Sequence, residues 1–102
     1  MTFRKNYRGA NLWGADLTDA NLLQAEMRGA HLFQANLTHA MLRGANLTKA
    51  DLQFANLQGA NLWKANLSDA GLSLANLTGA DLTGAILDNV TWPEGWKLVR
   101  DE

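Results

Sequence analysis

ANLTK ADLQF ANLQG ANLWK, residues 45–64, repeats one five-residue phrase four times without an insertion. Ala opens each phrase, Asn or Asp follows, and Leu stands third. The same register runs outward in both directions. Ala occupies every fifth position from Ala10 to Ala85, sixteen times in succession. Two residues later Leu recurs from Leu12 to Leu87, with Met27 the single exception. Asn or Asp fills the second place in eleven of the sixteen phrases, and Glu26, His31, Met41, Gly71 and Ile86 take the others.

A period of five suits neither regular element. Along an α-helix each step of five turns the side chain by roughly 140°, so the leucines would wander around the surface instead of forming a stripe. In a continuous strand an odd period would send Leu to the opposite face at every repeat. The pattern is consistent only if the chain turns a corner once per repeat. Ala and Leu, two apart, then point to the same side of a short extended piece. The remaining residues make the corner, where Asn, Asp and Gly are favoured for their tolerance of unusual backbone angles and their local hydrogen bonds. Four corners close a coil of twenty residues, and sixteen repeats make four coils. At ~4.8 Å per coil the regular part would stand about 20 Å tall, with residues n and n+20 above one another.

Ala-(Asn/Asp)-Leu-X-X in tandem resembles the pentapeptide repeat proteins, over about four-fifths of the chain. The resemblance implies an all-β fold: a right-handed quadrilateral parallel β-helix, or β-solenoid, here of four regular coils with short terminal caps. It implies that Leu and the preceding Ala point inward and that the other three positions face solvent. Family activities include topoisomerase protection by DNA mimicry and the binding of regulatory proteins. Fold alone does not select among these.

The expected organisation is one domain, with an N-terminal cap and partial repeat over 1–9, repeats over 10–89, and a C-terminal cap and tail over 90–102. An open coil exposes backbone and apolar side chains, so its ends need cover. Tyr7 falls on the Leu register and plugs one end. Trp92 keeps that register at the other, where Pro93 cannot donate a ladder bond and Trp96, Leu98 and Val99 are placed to fold over the last coil.

Net charge is −1, which argues against a basic nucleic-acid binder, and no direct nucleic-acid contact is expected. Residues 1–50 carry a net +3 and residues 51–102 a net −4, an asymmetry that favours head-to-tail stacking of molecules. There is no cysteine, residues 1–7 form no apolar leader core, and no apolar run reaches membrane-spanning length, so no membrane association is expected and the cytoplasm is the default compartment. His31 and His39 fall on different faces without ligand-spaced carboxylates, Ser and Thr lack a candidate base, and no glycine sits in a phosphate-binding context. No enzyme activity, cofactor or metal is expected.

The outward columns carry the functional reading. Trp13 and Phe33 stack in one column, and Phe54 and Leu74 in the next, giving an apolar strip up one face; clustered exposed aromatics of this kind mark protein contacts. Stacking of the strip upon itself is the purely structural alternative. Leu23 and Trp63 suggest a weaker patch, interrupted by Arg43. Acids do not stack in rows, Lys49 lies below Asp69 as an opposite-charge pair, and Asn36, Asn56 and Asn76 read as an amide ladder. The expectation is a non-enzymatic scaffold that binds an unidentified protein partner or a further copy of itself. Gyrase protection by DNA mimicry and a purely structural spacer are the alternatives.

Overall fold

The structure, a computed structural model, describes residues 3–97. Fourteen parallel bridges join residues twenty apart, from Asn6 with Glu26 to Gly71 with Thr91. Every bridge is a single residue, and among the described residues there is neither a helix nor a longer strand. The reason is geometric. Each repeat devotes its fourth and fifth residues to a turn, which leaves one residue per face in register to pair. The pairing reaches Asn6 and Thr91, beyond the 10–89 span of the Ala-led repeats at each end. The result is a β-solenoid with one corner every five residues.

One repeat accounts for all five of its backbone N–H groups, as buried or packed backbone must. Asn56 N–H donates down to the Ala35 carbonyl at 3.0 Å, and Leu57 N–H donates up to the Asn76 carbonyl at 2.8 Å. Gly59 N–H donates up to the Thr78 carbonyl at 2.9 Å, and Ala60 N–H closes the corner on the Leu57 carbonyl at 3.0 Å. The fifth, Gln58 N–H, is taken by the side chain of Asn56, whose Oδ1 accepts it at 3.0 Å. This explains the second place of the motif. Asn or Asp there supplies the one acceptor that the neighbouring coils do not.

The same side-chain bond recurs from Asn6 to Asp81, including Asn36 to Thr38 and Asn76 to Thr78. The Asn36, Asn56 and Asn76 column is therefore not an amide ladder: each amide oxygen bonds within its own corner. A column position fixes which side chains are neighbours, but not which way each one bonds.

Every fifth-place residue from Gly9 to Asn89 has a positive φ, between 54° and 71°. The turn with a residue-i carbonyl to residue-i+3 N–H bond and positive φ at its third residue is the type that favours Gly or Asn there. Seven of these places hold Gly, but Gln24, Lys49, Phe54, Lys64 and Leu74 are among those that do not.

Inside, Leu and Ala alternate in a fully buried column system from Leu22 to Leu77. Met27 replaces Leu without loss of burial, as an unbranched side chain of similar volume permits. Thr48 departs from the expected solvent exposure of the outer positions and is 7% exposed. Burial thins at both rims: Tyr7, Leu12 and Leu17 at one end, and Leu82, Leu87, Val90 and Trp92 at the other, are only partly covered. Pro93 fits because it stands in the fourth place, whose N–H takes no part in the ladder; among the described residues the last rungs are those of Thr91, and beyond them Gly95 has a φ of 86° and Trp96 N–H bonds back to the Pro93 carbonyl at 3.0 Å.

Two capping carboxylates carry a pH signature. Asp16 accepts the Thr18 hydroxyl at 2.7 Å and the Thr18 N–H at 3.1 Å, and Asp81 accepts the Thr83 N–H at 3.0 Å. The hydroxyl first, then the backbone donor, hold both carboxyls below the ordinary Asp value. A lowered folded-state value adds stability above the unfolded value and loses it as pH falls through the folded one. The melting temperature should therefore fall on acidification below the ordinary Asp range. The fall should be shallower in an Asp16→Asn, Asp81→Asn variant, whose amides keep the acceptor without titrating; an identical pH slope would exclude these two groups.

Candidate interaction surfaces

The first face is nearly free of charge. Its outward places from residue 11 to residue 74 hold Asn11, Trp13, Gly14, His31, Phe33, Gln34, Asp51, Gln53, Phe54, Gly71, Ser73 and Leu74, with Asp51 the sole carboxylate. The stack brings the aromatic residues together. Trp13 and Phe33 lie with ring centroids 5.2 Å apart, tilted by 37°. Phe33 and Phe54 follow at 5.4 Å, edge to face at 67°. Both spacings fall in the range of favourable ring pairs. Phe33 is half-buried between its neighbours, while Trp13 is 66%, Phe54 48% and Leu74 61% exposed. The strip is thus part stack and part open apolar surface.

Phe54 and Leu74 occupy fifth places, with φ of 59° and 61°. A bulky L-residue there brings Cβ against the following carbonyl, at about 1–2 kcal/mol. Asn tolerates the same conformation. Leu74→Asn should therefore raise the unfolding free energy by ~0.5–1 kcal/mol, read by thermal melting. A lower melting temperature would mean that Leu74 gains more from contact than it loses to strain.

The third face differs from its sequence reading. Arg43 does not merely interrupt Leu23 and Trp63: its guanidinium carbon lies 4.0 Å from the Trp63 ring centroid, and the Lys64 ammonium lies 4.5 Å from it. The two cations occupy the Trp63 ring by cation–π attraction. Leu23 is 46% exposed.

On the fourth face Arg8 and Arg28 share a column, a pairing that twenty-residue columns contain but that the sequence reading did not single out. Arg4 reaches Glu26 at 3.3 Å, the one ion pair among the described residues. Lys49 and Asp69 share a column without forming a pair within 4.0 Å. Long, solvated side chains lose more freedom in a fixed surface pair than the contact returns. Acids likewise fall singly: Asp16 bridges Asn36, Glu26 bridges Asn46, and Asp51 lies between His31 and Gly71.

Of the residues expected at the ends, Tyr7 and Trp92 sit on the Leu register and pack against the core, whereas Trp96 is 49% exposed. Leu98 lies outside the described residues. His31 and His39 are both exposed, and the His39 ring lies over Gly59, where a Cβ would collide with it. Among the described residues no helix is long and apolar enough to cross a membrane.

Comparison with known proteins places this geometry. The family model "Pentapeptide repeats" matches in eight copies over residues 6–32, 30–69 and 55–91. No curated protein matches the sequence. Among solved structures, a pentapeptide repeat protein from the cyanobacterium Cyanothece 51142 is 42% identical with a TM-score of 0.85, covering 87% of this chain and 61% of its own. One from Nostoc PCC 7120 is 36% identical with a TM-score of 0.55, covering 92% of this chain and 78% of its own. Another, from the Arabidopsis thaliana thylakoid lumen, is 36% identical with a TM-score of 0.53, covering 79% of this chain and 60% of its own. The chain therefore spans about three-fifths of the length of two of these relatives.

Proposed function

Because the chain belongs to the pentapeptide repeat family, we propose that it is a non-enzymatic scaffold that binds a protein partner through the strip formed by Trp13, Phe33, Phe54 and Leu74. The observation that carries this reading is the placement of Phe54 and Leu74. Both are large, apolar and about half exposed or more, and both stand at corners where the backbone conformation favours Gly or Asn. Phe54 recovers part of its strain through the ring contact with Phe33, but the exposed remainder of both side chains does nothing for the isolated fold, and strain retained there is a pointer to function. The surroundings, with Asp51 their one carboxylate, suit the centre of a protein contact, where charged residues are depleted and aromatics enriched.

The scaffold in this reading is a right-handed solenoid of four regular coils over 10–89, with 1–9 and 90–102 as caps and Tyr7, Trp92, Trp96 and Leu98 as the covering side chains. A rigid rod of this kind offers each face as a fixed platform, so that binding orders little of the scaffold itself.

The test is affinity capture from source-cell lysate, comparing wild type with a Trp13→Ser, Phe33→Ser, Phe54→Ser, Leu74→Ser variant of unchanged circular dichroism. A protein retained by wild type and lost by the folded variant supports the reading and names the partner. Equal capture profiles would reduce the strip to a stacking ladder.

A further inference from the structure

The four side chains of the strip do not share one column. Trp13 and Phe33 hold fourth places in two successive coils, and Phe54 and Leu74 hold fifth places in the two coils above. The other places of these two columns carry smaller or more flexible side chains. Gly14 and Gln34 follow Trp13 and Phe33, and Gln53 and Ser73 precede Phe54 and Leu74. The bulk therefore runs obliquely up the face, leaving each column half prominent and half low. Alongside lies the second-place column of Asn11, His31, Asp51 and Gly71, where the face's one imidazole is bridged to its one carboxylate.

This pattern is complementary to its own inverted copy. A second copy laid face to face, turned end for end about an axis between the coils of Phe33 and Phe54, brings each column against itself in reverse order. Trp13 then meets Ser73 of the second copy, Phe33 meets Gln53, Phe54 meets Gln34 and Leu74 meets Gly14. Every prominent side chain lies over a low place, as close packing of two surfaces requires. The same turn sets Asn11 against Gly71 and His31 against Asp51. The imidazole N–H donates to the facing carboxylate, and the symmetry makes that pair twice. Because His31 and Asp51 are also neighbours within each copy, acid and imidazole alternate around a square.

Other registers lose this fit. Moving the axis by half a coil sets His31 on His31 and Phe33 on Phe33, or Asp51 on Asp51 and Phe54 on Phe54. A parallel pair centred on the fourth places sets Trp13 on Trp13, Phe33 on Phe33 and Asp51 against Phe54. Facing like charges and a carboxylate pressed on a ring are the contacts that exclude a register. We propose that the occupant of the strip is a second copy of this chain, inverted end for end in a closed two-fold pair. The proposal rests on the reading of the strip as a binding surface and names its partner. The contact spans four coils of one narrow face, which puts it among weak, reversible associations.

Sedimentation of the full chain from micromolar to millimolar concentration tests this. Wild type should approach the mass of two copies and level off there, since a two-fold contact closes on itself. The Trp13→Ser, Phe33→Ser, Phe54→Ser, Leu74→Ser variant should keep the mass of one copy. His31→Asp faces acid with acid, and the His31→Lys, Asp51→Lys variant faces ammonium with ammonium. Each alone, with its melting transition intact, should pair about tenfold more weakly than wild type or worse, whereas their equimolar mixture should pair at least as well as wild type. A cross-link checks the register without altering charge. Asn11→Cys and Gly71→Cys, the latter with open space for its Cβ, should form a disulfide-linked pair when mixed and oxidised, and neither should do so alone. A wild-type mass of one copy throughout would overturn the second copy as occupant and leave the strip to a different protein, which lysate capture then identifies. Pairing that survives in the four-serine variant, growth beyond two copies, or a charge mixture no better than its components would each overturn the proposed contact.

Discussion

Leu52→Ala should lower the unfolding free energy by about 2–5 kcal/mol, the range for emptying a leucine-sized space in a core that cannot fully collapse. Leu52 is wholly buried, with Leu32 and Leu72 one coil below and above it in the same inward column. In a stack of coils each repeat depends on its two neighbours, so a void in the middle weakens both adjoining interfaces. Two bonded ladders also hold the backbone of every interior coil at a fixed spacing, which opposes collapse around the void. For a chain of this size the melting temperature should drop by at least ~8 °C. Leu12→Ala, at the partly exposed rim, should cost distinctly less. Thermal or urea unfolding of the two variants side by side checks the contrast, and equal losses would mean that the rim is as closed as the centre.

Ala55→Leu tests the opposite error. Ala55 is 1% exposed and stands in a column with Ala35 and Ala75, the small inward position of the second corner. Three added carbons there have no void to enter, and the ladder spacing prevents the coils from moving apart. Overpacking of this kind costs about 1–3 kcal/mol, and a closed coil leaves little room for relief. Ala10→Leu, partly exposed at the rim, should be tolerated far better. A melting temperature unchanged by Ala55→Leu would remove Ala55 from the inward set. The two substitutions together define a narrow interior: one large and one small side chain per repeat, neither replaceable by the other.

The apolar strip serves the fold and leaves surface over. Trp13, Phe33, Phe54 and Leu74 lie on a side, where ring stacking stabilises the monomer and the exposed remainder is available to a partner.

Much of this was legible in the sequence because a period of five excludes both regular elements and forces a corner into each repeat. From that alone came the inward Ala and Leu, the twenty-residue stack and the neighbours in each outward column. The strip was found this way, since stacking is a matter of register and register is a matter of counting. The early start of the pairing was harder to see: Lys5 stands where Ala is expected, although Asn6 and Tyr7 keep the second and third places.

What tertiary structure decided was direction, conformation and closeness. The Asn column looked like a ladder of amides, but the free donor of each corner is nearer to its own Asn than the next coil is, and so captures it. Positive φ at every corner is imposed by the closing of the coil, so Phe54, Leu74 and Lys49 adopt it against their own preference, which no local propensity could reveal. Arg43 read as an interruption because sequence gives its charge but not its reach, and only the folded face shows it lying on Trp63. Counting fixes which residues share a column; the energies of bonding, strain and packing, which depend on distances of a few tenths of an ångström, exist only once the coils are closed upon one another.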